Sequence, residues 1–213
     1  FTGFGIPDRI NLMKQTWDIF GKNYDVDNIE YDKILDLTKH RDIEKSTTTR
    51  KFKKDILDTF LNDKYKDKVL VEIGCHKGNS TKYLSKIFKK VYAVDKWHLD
   101  DARKHCKDCD NVEFVKANLY RYQKDDGSIQ EPEKWKDFLP SEVDVVFIDG
   151  LHHSDQVYKD IKNSIDCLSD KGVVICHDMN PPTKERQEVP CVKWPWNGDC
   201  CSDFSTKLEK DRR

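Results

Sequence analysis

Apolar positions along the chain change their period near residue 68. Before it they recur at helical spacing: Ile10, Met13, Trp17 and Phe20 run at intervals of three and four up to Gly21, and Phe52, Ile56 and Phe60 follow the cap-like Ser46-Thr-Thr-Thr49. After it, short continuous apolar runs alternate with amphipathic stretches. Val69-Leu-Val-Glu-Ile73 predicts a strand, Ser80 to Phe88 a helix with Tyr83, Leu84, Ile87 and Phe88 inward, and Val91-Tyr-Ala-Val94 a second strand. A helix near Asp100 to Cys106 leads to the strand Val112-Glu-Phe-Val115, and a polar loop around Asp125-Asp-Gly127 precedes the strand Val143-Asp-Val-Val-Phe-Ile148. Val157, Ile161, Ile165 and Leu168 then stripe a helix, and Gly172 precedes the strand Val173-Val-Ile-Cys176.

Uninterrupted β-branched strands separated by helices require a sheet buried on both faces, which is what a parallel sheet provides. The pattern therefore predicts an α/β chain: a Rossmann-like, doubly wound, mostly parallel sheet with helices on both faces. Residues 1–67 are expected as an N-terminal helical segment, and residues 68–213 as the core of one domain overall. In the 37 residues after Cys176, Pro181, Pro182, Pro190 and Pro195 interrupt any closing pair of antiparallel strands, because proline removes a ladder donor. The sheet's last edge is not legible there.

In such sheets ligands sit beyond the carboxyl ends of the strands, where strand order reverses. The residues at those ends are Gly74 to Gly78, Asp95, Asn118, Asp149 with His152, and His177-Asp178. Gly74 and Gly78 flank a strand-to-helix turn with GxxxG spacing. A dinucleotide fingerprint wants a further glycine where Cys75-His76 stand, so a pyrophosphate is disfavoured. Asp95 follows Gly74 by 21 residues, near the spacing at which a carboxylate accepts both hydroxyls of an unphosphorylated ribose.

Composition narrows the function further. Lys and Arg (38) nearly balance Asp and Glu (39), so the backbone-neutralising excess of a nucleic-acid binder is missing. No apolar run is long enough to span a membrane and no leader segment opens the chain, which predicts a soluble cytoplasmic protein. The chain opens on Phe1, from which we expect a domain cut from, or fused within, a larger protein. Eight cysteines in so long a chain are expected as thiols. Cys106 and Cys109, beside His105, have the spacing of half a zinc site, but no second half follows.

Taken together, Val71-Glu-Ile-Gly-Cys-His-Lys-Gly-Asn-Ser-Thr81, Val91-Tyr-Ala-Val-Asp95, Val112-Glu-Phe-Val-Lys-Ala-Asn118 and Val143-Asp-Val-Val-Phe-Ile-Asp149-Gly resemble the successive motifs of class I S-adenosylmethionine (SAM)-dependent methyltransferases. Ile148-Asp-Gly-Leu-His-His-Ser-Asp-Gln-Val157, with Gly172-Val-Val-Ile-Cys-His-Asp178, is similar to a subgroup found beside glycan and antibiotic biosynthesis. The resemblance covers about residues 68–180. It implies SAM as cofactor, with Glu72, Gly74, Cys75 and Gly78 at its methionine end, Asp95 on the ribose, Lys96, Trp97, Asn118 and Asp149 completing the site, and the helical segment 1–67 covering it as a lid that helps define the acceptor pocket. Asn118 replaces the family's usual aspartate at the adenine.

The chemistry left open is how a hydroxyl acceptor loses its proton. Asp149, His152 and His177 are the candidate catalytic residues, with His152 or Asp149 as general base. Alternatively Asp149, His177 and Asp178 bind a divalent cation, magnesium or manganese, although imidazole is an unusual ligand for so hard an ion. The expected acceptor is a sugar hydroxyl of a glycan, which Trp135, Trp194 and Trp196 could stack upon. A small phenol or polyketide and a non-catalytic partner module are the alternatives.

Overall fold

The computed structural model describes residues 33–38, 50–151 and 154–177. Helix α1 (Arg50–Phe60) precedes strand β1 (Val69–Ile73), followed by α2 (Asn79–Leu84), β2 (Lys90–Asp95), α3 (Leu99–His105) and β3 (Val112–Lys116). A hairpin of β4 (Tyr122–Gln123) and β5 (Ile129–Gln130) and a 3-10 turn (Trp135–Asp137) lead to β6 (Val143–Ile148), α4 (Ser154–Cys167) and β7 (Leu168–Cys176).

The five long strands form one parallel sheet in the order β3-β2-β1-β6-β7. The chain builds outward from β1 through β2 to β3, then returns to the other side of β1 to lay down β6 and β7. Strand order thus reverses between β1 and β6, and this is the Rossmann-like, doubly wound arrangement expected from the apolar pattern.

Alternation along each strand divides the core in two. Val71, Ile73, Val94, Val146 and Ile148 face Trp135, Leu139, Val157 and Ile161, so the 3-10 turn and α4 cover one face. Leu70, Val91, Val145, Phe147 and Ile175 face Ile56, Leu57 and Phe60 of α1 and Tyr83, Leu84, Ile87 and Phe88 on and after α2. Of the segment 1–67 expected as a lid, Ile34, Leu35 and the apolar stripe of α1 belong to this second core layer. Residues 1–32 and 39–49 lie outside the described residues.

Two boundaries differ from the sequence expectation. Leu168, assigned to the helix stripe, already belongs to β7 and pairs with Val143, and Gly172 lies inside the strand. A register shift between Val143 and Val145 absorbs the extra residues, and Gly172 fits because a Cβ there would strike the Leu168 side chain. The polar loop around Asp125-Asp-Gly127 is the tip of the β4–β5 hairpin, with Gly127 at φ 82. Its two-residue strands are too short to show a period. At the opposite end of the sheet Asp144 ties β6 to β1, accepting from Lys68 Nζ at 2.8 Å and from the Val69 N–H at 2.9 Å. No helix among the described residues is long and apolar enough to cross a membrane.

Candidate active site

Backbone bonds draw the strand ends into one row. The Gly74 N–H donates to Val94 O (2.9 Å), the Asp149 N–H to Ile73 O (2.8 Å), the His177 N–H to Ile148 O (2.9 Å) and the Ala117 N–H to Asp95 O (3.2 Å). The residues that follow β1, β2, β3, β6 and β7 therefore share one edge, and the reversal point falls between Gly74 and Asp149. Gly74 is required there twice over. Its φ is 90, and a Cβ would collide with the Asp149 carbonyl group and Gly150 Cα.

Glu72 lies two residues before Gly74 and is fully buried. Its carboxylate accepts hydrogen bonds from the hydroxyls of Ser80 and of Thr81, the latter at 2.6 Å, both on α2. Burial nevertheless pushes the carboxyl up to about 7, because desolvation outweighs the two hydroxyls, and the charges of Asp149 and Asp95 add to it. Burial, with the Glu72 and Asp149 carboxylates adding to it, holds the Tyr83 phenol well above its ordinary range, and its hydroxyl has no hydrogen-bond partner among the described residues.

The other two members of the glycine turn face the protein interior. Cys75 packs in a cluster with Ala93, Leu99 and Ala102, leaving its backbone at the edge. Gly78, at φ 79, sits against α3, where a Cβ would press on Ala102 and on Cys106 Sγ. The Cys106 thiol donates to Gly78 O at 3.4 Å, and Cys109 Sγ accepts from Ser85 Oγ at 3.3 Å. These thiols serve the packing of α2 and α3.

Asp95 is oriented by backbone donors from both sides: the His76 N–H reaches Oδ2 at 2.7 Å and the Trp97 N–H reaches Oδ1 at 2.9 Å. His76 (φ 47) and His98 (φ 60) both adopt left-handed backbone, a sparsely populated choice for such residues, and their rings meet edge to face at 4.6 Å. Trp97 is 62% exposed, and Lys96 Nζ lies between the Trp97 and Tyr122 rings, 4.5 and 3.1 Å from their centroids.

Asn118 is buried, and both hydrogens of its amide are committed, to Tyr120 O and Glu131 O at 2.9 Å each. That fixes which way the amide faces and leaves Oδ1 as an acceptor without a partner.

At the β6 and β7 ends, His177 Nδ1 stands 3.1 Å from Asp149 Oδ1, with side chains only 8% and 10% exposed. Phe52 of α1 packs edge-on against the His177 ring at 4.7 Å. Tyr120, two residues beyond Asn118, accepts the Leu151 N–H at 2.9 Å. Neither Phe52 nor Tyr120 carries a sequence signal for this role, since both act across the fold. His152, His153, Asp178, Trp194 and Trp196 lie outside the described residues, and Trp135 is buried in the core facing α4. Among the described residues no group of three His, Cys, Asp or Glu side chains is placed to hold a metal ion.

A family profile described as a methyltransferase domain matches residues 71–179, more than half of the chain. No curated protein sequence matches. Similar solved structures include a precorrin 8w decarboxylase from Methanobacterium thermoautotrophicum, at 19% identity over 66% of this chain and 69% of that one, with a TM-score of 0.49. A precorrin-6y C5,15-methyltransferase from Geobacter metallireducens matches at 22% identity, 62% and 65% coverage and a TM-score of 0.48. A Haemonchus contortus phosphoethanolamine N-methyltransferase complexed with phosphoethanolamine and S-adenosylhomocysteine matches at 20% identity, 82% and 33% coverage and a TM-score of 0.45. The chain spans less than two thirds of the length of the last two.

Proposed function

Because the chain belongs to the methyltransferase-domain family and is a SAM-dependent methyltransferase, we propose that it methylates a hydroxyl oxygen, with a sugar of a glycan as acceptor and a small phenol or polyketide as the other acceptor class. The residues at the strand ends suit the cofactor. Asp95 presents a carboxylate already aimed by two N–H groups, as a ribose diol needs, and Asn118 stands at the β3 end on the adenine side. Gly74 and the backbone of the turn through Cys75 and Gly78 stand at the methionine end, with Glu72 buried behind them and Lys96 and Trp97 beside the adenosine. Bound SAM supplies a methyl group made electrophilic by its sulfonium.

The observation that carries the hydroxyl reading is the contact between His177 and Asp149 at the β7 and β6 ends, across the reversal point from Gly74. An aliphatic hydroxyl is a weak nucleophile near neutral pH and must give up its proton to a base in reach. The Asp149 carboxylate, 3.1 Å from Nδ1, sets an acid beside the imidazole, the kind of pairing that a general base uses. His152, close in sequence to Asp149, is the further candidate base. Phe52, edge-on to His177, supports a part for the N-terminal segment in shaping the acceptor pocket.

The same pair bears on the metal alternative. Asp149 and His177 engage each other, and imidazole is a poor match for a hard cation, so a base without a metal is the favoured chemistry. The test is incubation with labelled SAM and a panel of methyl-free glycans and simple phenols, with and without EDTA. Transfer to a glycan, unchanged by EDTA and lost in His177→Gln, is the expected result. Transfer abolished by EDTA and restored by magnesium or manganese would replace the base with the Asp149, His177 and Asp178 metal site. Binding of NAD in place of S-adenosylhomocysteine (SAH) would end the reading.

A further inference from the structure

The turn that carries Asp149 is gripped on two sides. From β1, Ile73 O accepts the Asp149 N–H at 2.8 Å and Gly74 lies against the Asp149 carbonyl. From the segment after β3, Tyr120 Oη accepts the Leu151 N–H at 2.9 Å. The same hydroxyl lies where a side chain at position 150 would be, for a Cβ on Gly150 would collide with Tyr120 Oη while reaching Tyr120 Cζ only at 3.4 Å and Ile73 Cγ2 at 3.5 Å. The Tyr120 carbonyl is in turn held by the Asn118 amide at 2.9 Å, and its ring packs on the core beneath α4.

We propose that Tyr120 is a positioning residue for methyl transfer: its hydroxyl sets the Asp149–Leu151 turn and thereby the carboxylate that orients His177. The proposal rests on the reading of Asp149 and His177 as the proton-accepting pair. Gly150 is the complement of that hydroxyl, a residue without a side chain because the tyrosine oxygen has taken the space. Residues 118–120 then serve both ends of the site. Asn118 holds the Tyr120 carbonyl at the β3 end, and Tyr120 fixes the turn at the reacting end.

Tyr120→Phe keeps the ring and removes only the acceptor of the Leu151 N–H. It is expected to leave SAH affinity by calorimetry within about two-fold of wild type, to lower kcat with the glycan panel at least ten-fold at unchanged KM for SAM, and to speed hydrogen exchange of the Leu151 amide at least ten-fold. Gly150→Ala alone is expected to lose thermal stability and transfer. Added to Tyr120→Phe it should be tolerated, because the remaining contacts at 3.4 and 3.5 Å are ordinary ones. Wild-type kcat in Tyr120→Phe, or a Gly150→Ala defect that the phenylalanine does not relieve, would overturn the proposal. If the wild-type protein binds SAH yet methylates neither glycans nor phenols, the hydroxyl reading fails by itself. Unchanged Leu151 exchange in Tyr120→Phe would then still overturn the clamp.

Discussion

Glu72 is the residue where folding and function press against each other. Its carboxyl is fully buried and its pKa rises from an ordinary 4.5 to about 7, so the folded protein holds a proton that the unfolded chain releases. The sign follows from linkage. Below pH 4.5 both states are protonated and Glu72 costs nothing; between 4.5 and 7 stability falls as pH rises; above 7 the penalty is complete. At 1.36 kcal/mol per pH unit, a shift of this size corresponds to about 3 kcal/mol. Glu72→Gln retains the shape, keeps one of the Ser80 and Thr81 hydroxyls donating to its oxygen while the other turns to accept from its NH2, and removes the ionisation. Urea unfolding at pH 5 and pH 8 should show the wild type losing stability across that interval and the variant losing much less. Equal losses in both proteins would mean the carboxyl titrates normally.

At the scale of elements, the parallel sheet was legible because its strands are continuous apolar runs, and those runs read the same whatever packs on them. Where legibility failed, a neighbour decided. Leu168 continues the helical stripe of Val157, Ile161 and Ile165, yet pairing with Val143 draws it into β7. Tyr122 and Ile129 sit in strands of two residues, too short to have a period. The glycine turn was legible as a turn, but not that Cys75 and Gly78 face α3 while Gly74 faces β6. Tyr120 and Phe52 reach the site across the sheet's topology, which spacing along the chain does not record.

Helix α1 shows how burial discriminates between a movable cover and a structural layer. Leu57 and Ile56 are buried against Leu70, Val145 and Phe147 on the sheet. Truncating a buried leucine removes transfer free energy and leaves a cavity, typically 2–5 kcal/mol together. Leu57→Ala should therefore cost about 2–5 kcal/mol in denaturant unfolding with an unchanged slope. A loss below about 1 kcal/mol would mean α1 detaches readily and belongs to the lid rather than to the core.

For the molecule as a whole, the site is a property of the sheet and of no single element. Asp95, Asn118, Asp149 and His177 come from the ends of four strands, and Gly74 from the fifth, so a ligand touching several of them must favour the folded sheet over any state in which strands part. Near-balance between 38 basic and 39 acidic residues argues against a polyanion as that ligand. SAH at a hundred times its Kd should add about 2.7 kcal/mol to the unfolding free energy. For a chain of this size that corresponds to a rise in Tm of roughly 5–10 °C, readable by differential scanning fluorimetry. In Asp95→Asn one acceptor becomes a donor and faces the N–H of His76 or Trp97, so the ribose loses its paired acceptors and the rise should vanish, while the unliganded Tm gauges the damage to the fold itself. A full shift retained in Asp95→Asn would remove the β2 end from the cofactor site, and an equal shift with NAD would return the glycine turn to dinucleotide binding.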